Sequence, residues 1–255
     1  MTGSAIVAHR LDGVLEIRLD RPERRNALSR ALLRSLREMV EPMPADVGAV
    51  VLSATGPVFS AGADFADLTG TPSDLEFDRE LSAACTALRN APVPTVAAVS
   101  GPCIGAAVEL ALSCDLRVAG PQACFRVPAV ELGLLYNPES IRRMHATLPR
   151  ATVTRMLLLA ERFDAAASVE AGIATHRADP DARERALELA RSIAALPKAA
   201  VGATRRLLRE LDEGRYADSL WQKVRVELLA SPERRSLVAA ARQRHVPSAS
   251  SRPTE

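Results

Sequence analysis

The sequence predicts an α/β protein, on three observations. Short β-rich runs alternate with helical patterns through the first half of the chain. Strand signals almost vanish after Pro138, and helical patterns then follow one another to Arg244. Of the 255 residues 47% are hydrophobic, enough to fill one large core with a small appendage. The alternation implies layered, partly parallel strands, and the shift in character divides the chain into a core over 1–195 and a helical region over 196–255.

Each element has a local cause. Ala5–Arg10 and Val14–Asp20 are β-rich runs joined by Asp12-Gly13, a hairpin signal. Arg21 to Asn26 is a charged loop, after which Ser29 caps a helix with Leu32, Leu33, Leu36, Met39 and Val40 at helical spacing. Val47–Ser53 reads as a buried strand and Ser73–Ala91 as a helix stopped by Pro92 and Pro94. Thr95–Val99 is a strand, Gly105–Cys114 a very apolar helix, and Leu116–Ala119 and Cys124–Val127 are short strands. Helical patterns then cover Glu139–Thr147, Thr152–Leu159, Ala165–Ala171, Asp181–Leu196, Ala199–Leu211, Tyr216–Leu229 and Pro232–Arg244, and the Ser/Pro-rich stretch from Val246 to Glu255 is expected to fray.

Several function classes drop out. The formal net charge is +2 with mixed signs, which gives no nucleic-acid footprint. Pro94 to Leu112 is apolar enough to suggest a membrane span, but Gly101-Pro102 and Glu109 interrupt it, so strand, turn and buried helix fit better. Cys85, Cys103, Cys114 and Cys124 fit no metal spacing and read as reduced, buried packing residues, which suits a cytoplasmic setting; no signal peptide is expected at the N-terminus. His145 and His176 have no partner in sequence and read as surface residues, and no metal is implied.

Chemistry concentrates in two segments, Phe59-Ser-Ala-Gly-Ala-Asp64 and Gly101-Pro-Cys-Ile-Gly-Ala-Ala-Val-Glu-Leu-Ala111. Each reads as a strand end, a tight turn of small residues and a first helical turn, where backbone N–H groups lack partners and attract negative charge. Face to face, two such turns would make an oxyanion hole from backbone alone. Glu109 stands on an otherwise apolar helix. It either complements the helix dipole or lines a cavity as an acid/base, since burying an unpaired carboxylate is costly.

Together these blocks resemble the crotonase, or enoyl-CoA hydratase/isomerase, superfamily. Arg21-Pro-Glu-Arg-Arg-Asn-Ala-Leu28 resembles its R-P-x-x-x-N-A-L loop, and Phe59–Asp64 its F-x-A-G-A-D turn. Gly101–Asp115 resembles its second glycine-rich block, Phe125–Gly133 its F-x-x-P-E segment, and Ala165–Ile173 a later alanine-rich segment. The resemblance implies a crotonase-like spiral of β-β-α turns with a C-terminal helical trimerisation region, and a homotrimer or dimer of trimers. It implies acyl-CoA thioester substrates, coenzyme A entering as part of the substrate and not as a separate cofactor. It places the oxyanion donors on the amides of Ala63 and Ala106, and the first catalytic glutamate at Glu109. Coenzyme A would lie along Arg24, Ala27, Ala61, Gly62, Asp64, Phe65 and Gly105, with Arg24 or Arg25, and Arg235 of a neighbouring subunit, near its phosphates.

Two departures shape the expected activity. The second family glutamate is Ala129 here, so the carboxylate pair that suits water addition is broken; Glu131, if extended, would share its face but lie about 6.5 Å away, too far for simple substitution unless the backbone reroutes, and it reads first as a surface or ion-paired residue. The family's later glycine-rich turn reads Leu135-Tyr136-Asn137-Pro138-Glu139-Ser140, which resembles members that decarboxylate malonyl-type thioesters. There Tyr136 would orient a departing carboxylate or simply pack, Asn137 would line the acyl site or make turn chemistry, and Glu139 would start a helix or move protons. The expected function is therefore enolate stabilisation on an acyl-CoA, hydratase- or isomerase-like, in fatty-acid metabolism. The alternatives are malonyl-type decarboxylation and catalytically weak acyl-CoA binding.

Overall fold

The computed structural model describes residues 5–245, so the stretch from Val246 onward lies outside it. The chain opens with a hairpin, β1 (Ile6–Leu11) and β2 (Val14–Leu19), paired antiparallel. Asp12 and Gly13 both take positive φ (50° and 77°), the backbone that a two-residue hairpin turn requires. Helix α1 (Arg30–Val40) starts where the Ser29 hydroxyl accepts from the Leu32 amide, and it buries Leu32, Leu33, Leu36 and Val40. Strand β3 (Ala49–Ala54), helix α2 (Leu75–Asn90) and strand β4 (Thr95–Val99) follow.

The apolar stretch that raised the membrane question breaks into β4, a three-residue strand β5 (Pro102–Ile104) and helix α3 (Ala106–Leu112). Among the described residues, no helix is long and apolar enough to cross a membrane. Strands β6 (Leu116–Ala119) and β7 (Cys124–Arg126) come next. Helices α4 (Pro138–Thr147) and α5 (Arg150–Leu158), strand β8 (Phe163–Asp164), helix α6 (Ala165–Glu170), strand β9 (His176–Arg177) and helices α7 (Ala182–Ala194) and α8 (Lys198–Asp212) follow. Helices α9 (Asp218–Ala230) and α10 (Pro232–His245) end the described chain.

A six-stranded sheet runs β1-β2-β3-β4-β6-β9 and is parallel after the opening hairpin; a smaller sheet runs β5-β7-β8. Repeated crossovers that leave one sheet for the other build an α/β fold with a helical C-terminal region. Strands β5, β8 and β9 were not expected from sequence, because two or three residues are too few to show alternation. The chain divides within α8, between Arg205 and Arg206, into two compact units. In the second, Trp221 is buried, its indole N–H donating to Glu210 at 2.9 Å.

A charge is buried against the larger sheet. Glu16, fully buried on β2, accepts from the Ser53 hydroxyl (2.6 Å) and from Arg183 of α7 at both oxygens (2.7 and 2.8 Å). Burial pushes its pKa up, but Arg183 and Ser53 outweigh burial and leave it below the usual carboxylate value. Its contribution to stability is therefore present above the unfolded value of 4.5 and lost as pH falls through the lower folded one. Arg183→Met should cost about 3 kcal/mol at pH 7, because it strands a buried carboxylate. Urea unfolding at pH 7 and pH 3 checks this: the deficit should shrink at the lower pH, where the stranded Glu16 of the variant takes a proton.

Candidate active site

The site begins with a loop that cannot bend without help. Arg25 and Asn26 both take positive φ (52° and 53°), and the fully buried Asn26 side chain compensates. Its amide donates to the carbonyls of Thr55 (2.9 Å) and Val58 (2.8 Å), and its oxygen accepts from the Arg21 amide (2.8 Å). The loop then pairs with the first small-residue turn: Ala61 N donates to Arg25 O, Leu28 N to Gly62 O and Asp64 N to Leu28 O, at 2.8–3.0 Å. Asp64 is spent on structure, accepting from Ala66 N (3.1 Å) and Arg21 (3.2 Å). Arg24 is exposed, Ala27 is half-buried, and the Phe65 ring is 71% exposed.

The second turn lies directly alongside the first. Ser60 N donates to Pro102 O (3.1 Å) and Ile104 N to Ser60 O (3.0 Å), a parallel bridge that sets Ser60 opposite Cys103. Ala63 and Ala106 each stand three residues beyond that pairing, and each follows a glycine of positive φ, Gly62 at 94° and Gly105 at 57°. A side chain at Gly62 would come within 2.7 Å of the Ile104 carbonyl oxygen and 3.6 Å of the Ala106 nitrogen. The two turns are thus equivalent and in contact. Neither the Ala63 nor the Ala106 amide donates a hydrogen bond to a described residue, and Ala106 opens its helix, where no intrahelical partner exists.

Glu109 follows on the same helix and is buried, 3% exposed. The cost of burying that charge is met by a partner: its Oε1 accepts from the Arg143 guanidinium of α4. Its Oε2 is buried and accepts no hydrogen bond among the described residues. Sequence reading missed Arg143, which looked like one more charge beside Arg142. Arg143 also donates to Glu139 (3.0 Å) and Ser140 (3.3 Å).

The remaining candidates separate. The half-buried Tyr136 hydroxyl donates to Gly105 O at 3.2 Å, which seats the ring against the second turn, and burial followed by the Glu109 charge pushes its pKa well up. Asn137 caps α4, accepting from Glu139 N (2.9 Å) and Ser140 N (3.4 Å). Glu139 is exposed, and Arg142 and Arg143 outweigh slight burial to hold it down to about 2, too low for proton transfer near neutral pH. Ala129 is buried at the start of a 3₁₀ helix over Ala129–Leu132, so the extended geometry considered for Glu131 does not occur. Glu131 is exposed and paired with Arg126 at 2.5 Å. His145 is exposed, while His176 sits half-buried on β9 beside the Thr175 hydroxyl (2.9 Å). All four cysteines are buried and free, and burial pushes the Cys114 thiol up to about 12.

Comparison with known proteins places this arrangement in a wider group. The family model described as enoyl-CoA hydratase/isomerase matches residues 9–227. The chain is 37% identical to a Mycobacterium tuberculosis protein described as a probable enoyl-CoA hydratase, echA6, over 71% of this chain and 74% of that protein. It is 34% identical to the human mitochondrial enoyl-CoA hydratase domain-containing protein 3, over 76% of this chain and 66% of that one. Among solved structures, an enoyl-CoA hydratase/isomerase family protein from Hyphomonas neptunium superposes with a TM-score of 0.87 at 28% identity, covering 94% of this chain and 95% of that chain.

The two glycines predict an order of damage. Gly105→Ala meets open space and carries only backbone strain, about 1–3 kcal/mol. Gly62→Ala adds a collision with backbone and should lose more than Gly105→Ala in urea unfolding. Equal losses would mean that the two turns are less tightly apposed.

Proposed function

The chain belongs to the enoyl-CoA hydratase/isomerase family, and on that footing we propose that it binds an acyl-CoA thioester and stabilises its enolate between the amides of Ala63 and Ala106. The observation that carries the reading is the pair of undonated amides on two turns held side by side. Loss of an α-proton puts negative charge on the thioester oxygen, and a single aimed donor is worth about 3–4 kcal/mol at such an oxygen. Glu109 is the proton carrier. With Ala129 in place of a second carboxylate, moving a proton between two carbons of one substrate suits the site better than adding water. We assign it double-bond migration in an enoyl-CoA, in fatty-acid metabolism.

Coenzyme A would run along the Arg24–Ala27 loop and the Ala61–Phe65 turn, with Phe65 open to stacking and Arg24, Arg25 and a neighbouring subunit's Arg235 near phosphate. Exposed Leu220, Val226, Leu229 and Leu237 in the second unit support a trimer or dimer of trimers. Four buried free thiols support a cytoplasmic setting. Decarboxylation is less favoured, because the Tyr136 hydroxyl already donates to Gly105 and would have to let go to hold a departing carboxylate. A second reading, acyl-CoA binding with little turnover, draws support from Arg143, which occupies one oxygen of Glu109.

Crotonyl-CoA, a 3-enoyl-CoA and methylmalonyl-CoA, followed by absorbance and CO₂ release, separate these readings. Conversion of the 3-enoyl-CoA is expected. Ala106→Pro deletes one donor at a helix position that accepts proline, and should lower kcat by about 10²–10³-fold with the circular dichroism unchanged. Turnover that survives Glu109→Gln would refute the assignment, and saturable binding without any turnover would establish the second reading.

A further inference from the structure

We propose that Arg143 is a positioning residue that divides the Glu109 carboxylate into an anchored oxygen and a working oxygen; this rests on the proton-carrier reading of Glu109. A buried carboxylate needs a compensating charge, and a guanidinium meets one best as a fork that binds both oxygens. That fork is not formed. Arg143 Nη2 donates to Oε1 of Glu109 and to the Ser140 hydroxyl, while its Nη1 is drawn off to Glu139 at 3.0 Å. Glu139 is itself gripped by Arg142 at 2.7 and 2.9 Å. Oε2 of Glu109 is left buried and without a hydrogen bond among the described residues.

The consequence is chemical. Proton transfer uses a lone pair on one oxygen, and its rate depends on how well that oxygen is held at its target. Arg143 restrains Oε1 and balances the charge; Oε2, which no described residue engages, keeps its lone pairs for a substrate proton. Glu139, anchored by Arg142 and held down to about 2, keeps the second arm of Arg143 engaged at any working pH. Asp78, Cys85 and Arg89 of α2 and Tyr136 before α4 also sense the Glu109 charge. None of them has a hydrogen bond to Oε2.

The full-length protein is assayed for 3-enoyl-CoA to 2-enoyl-CoA conversion, and for exchange of the α-protons of a saturated acyl-CoA with deuterium oxide. Arg143→Gln should lower kcat about 10–100-fold with KM within about threefold, and move the acid limb of the rate–pH profile upward. Arg143→Lys should return the acid limb toward the wild-type position and recover part of kcat. Glu139→Ala, at an exposed position, should lower kcat several-fold, because the freed arm can then take Oε2 into a fork; it decides the matter if Arg143→Gln fails to fold. Unchanged kcat and pH profile in the Arg143 variants, or unchanged kcat in Glu139→Ala, overturns the proposal while an inactive Glu109→Gln leaves the reading of Glu109 standing. A wild-type protein inert in both assays removes that reading and the proposal with it.

Discussion

Two hydrogen bonds, from Ser60 N to Pro102 O and from Ile104 N to Ser60 O, hold the small-residue turns together. The rest of the site follows from that parallel contact. It aligns Ala63 with Ala106, and it leaves so little room that only glycine fits at position 62. The neighbouring framework serves the contact from both sides. Asn26 fixes the loop that pairs with the first turn, and the Gly105 amide donates to Arg126 O of β7 to fix the second.

Charge is managed separately from backbone geometry. The Glu109 carboxylate lies on a helix too apolar to solvate it, and its partner comes from α4, thirty-four residues further along the chain. Helix α4 is in turn located by its cap, since the Asn137 side chain both closes the first turn and reaches the Ser82 hydroxyl of α2 at 3.5 Å. At about 1.5 Å of rise per residue, the cap determines where along the helix axis the Arg143 guanidinium is delivered. A residue that sequence alone assigns to turn chemistry thus influences the electrostatics of a buried acid.

Most of the regular structure was legible because its causes are local. Ser29 with four buried apolar residues at helical spacing announces α1, and Asp12-Gly13 announces the hairpin. The family resemblance, carried by motifs in order along the chain, pointed to the turns of Ala63 and Ala106. What escaped was non-local. The strand β5 is defined by its partners and not by its own three residues. Glu131 is the surface ion-paired residue its sequence position suggested, but its partner Arg126 and the 3₁₀ turn that carries it could not be named from the sequence. Arg143 carried no signal at all, because an ion pair between distant helices leaves no periodicity in either.

The two alanines have a consequence for how such a protein can change. Their amide N–H groups belong to the main chain, so drift at positions 63 and 106 leaves them in place for any side chain except proline. A change confined to a side chain, such as one at position 129, leaves those peptide groups in place. A scaffold of this kind can vary a handful of side chains while its main-chain donors are shielded from mutation.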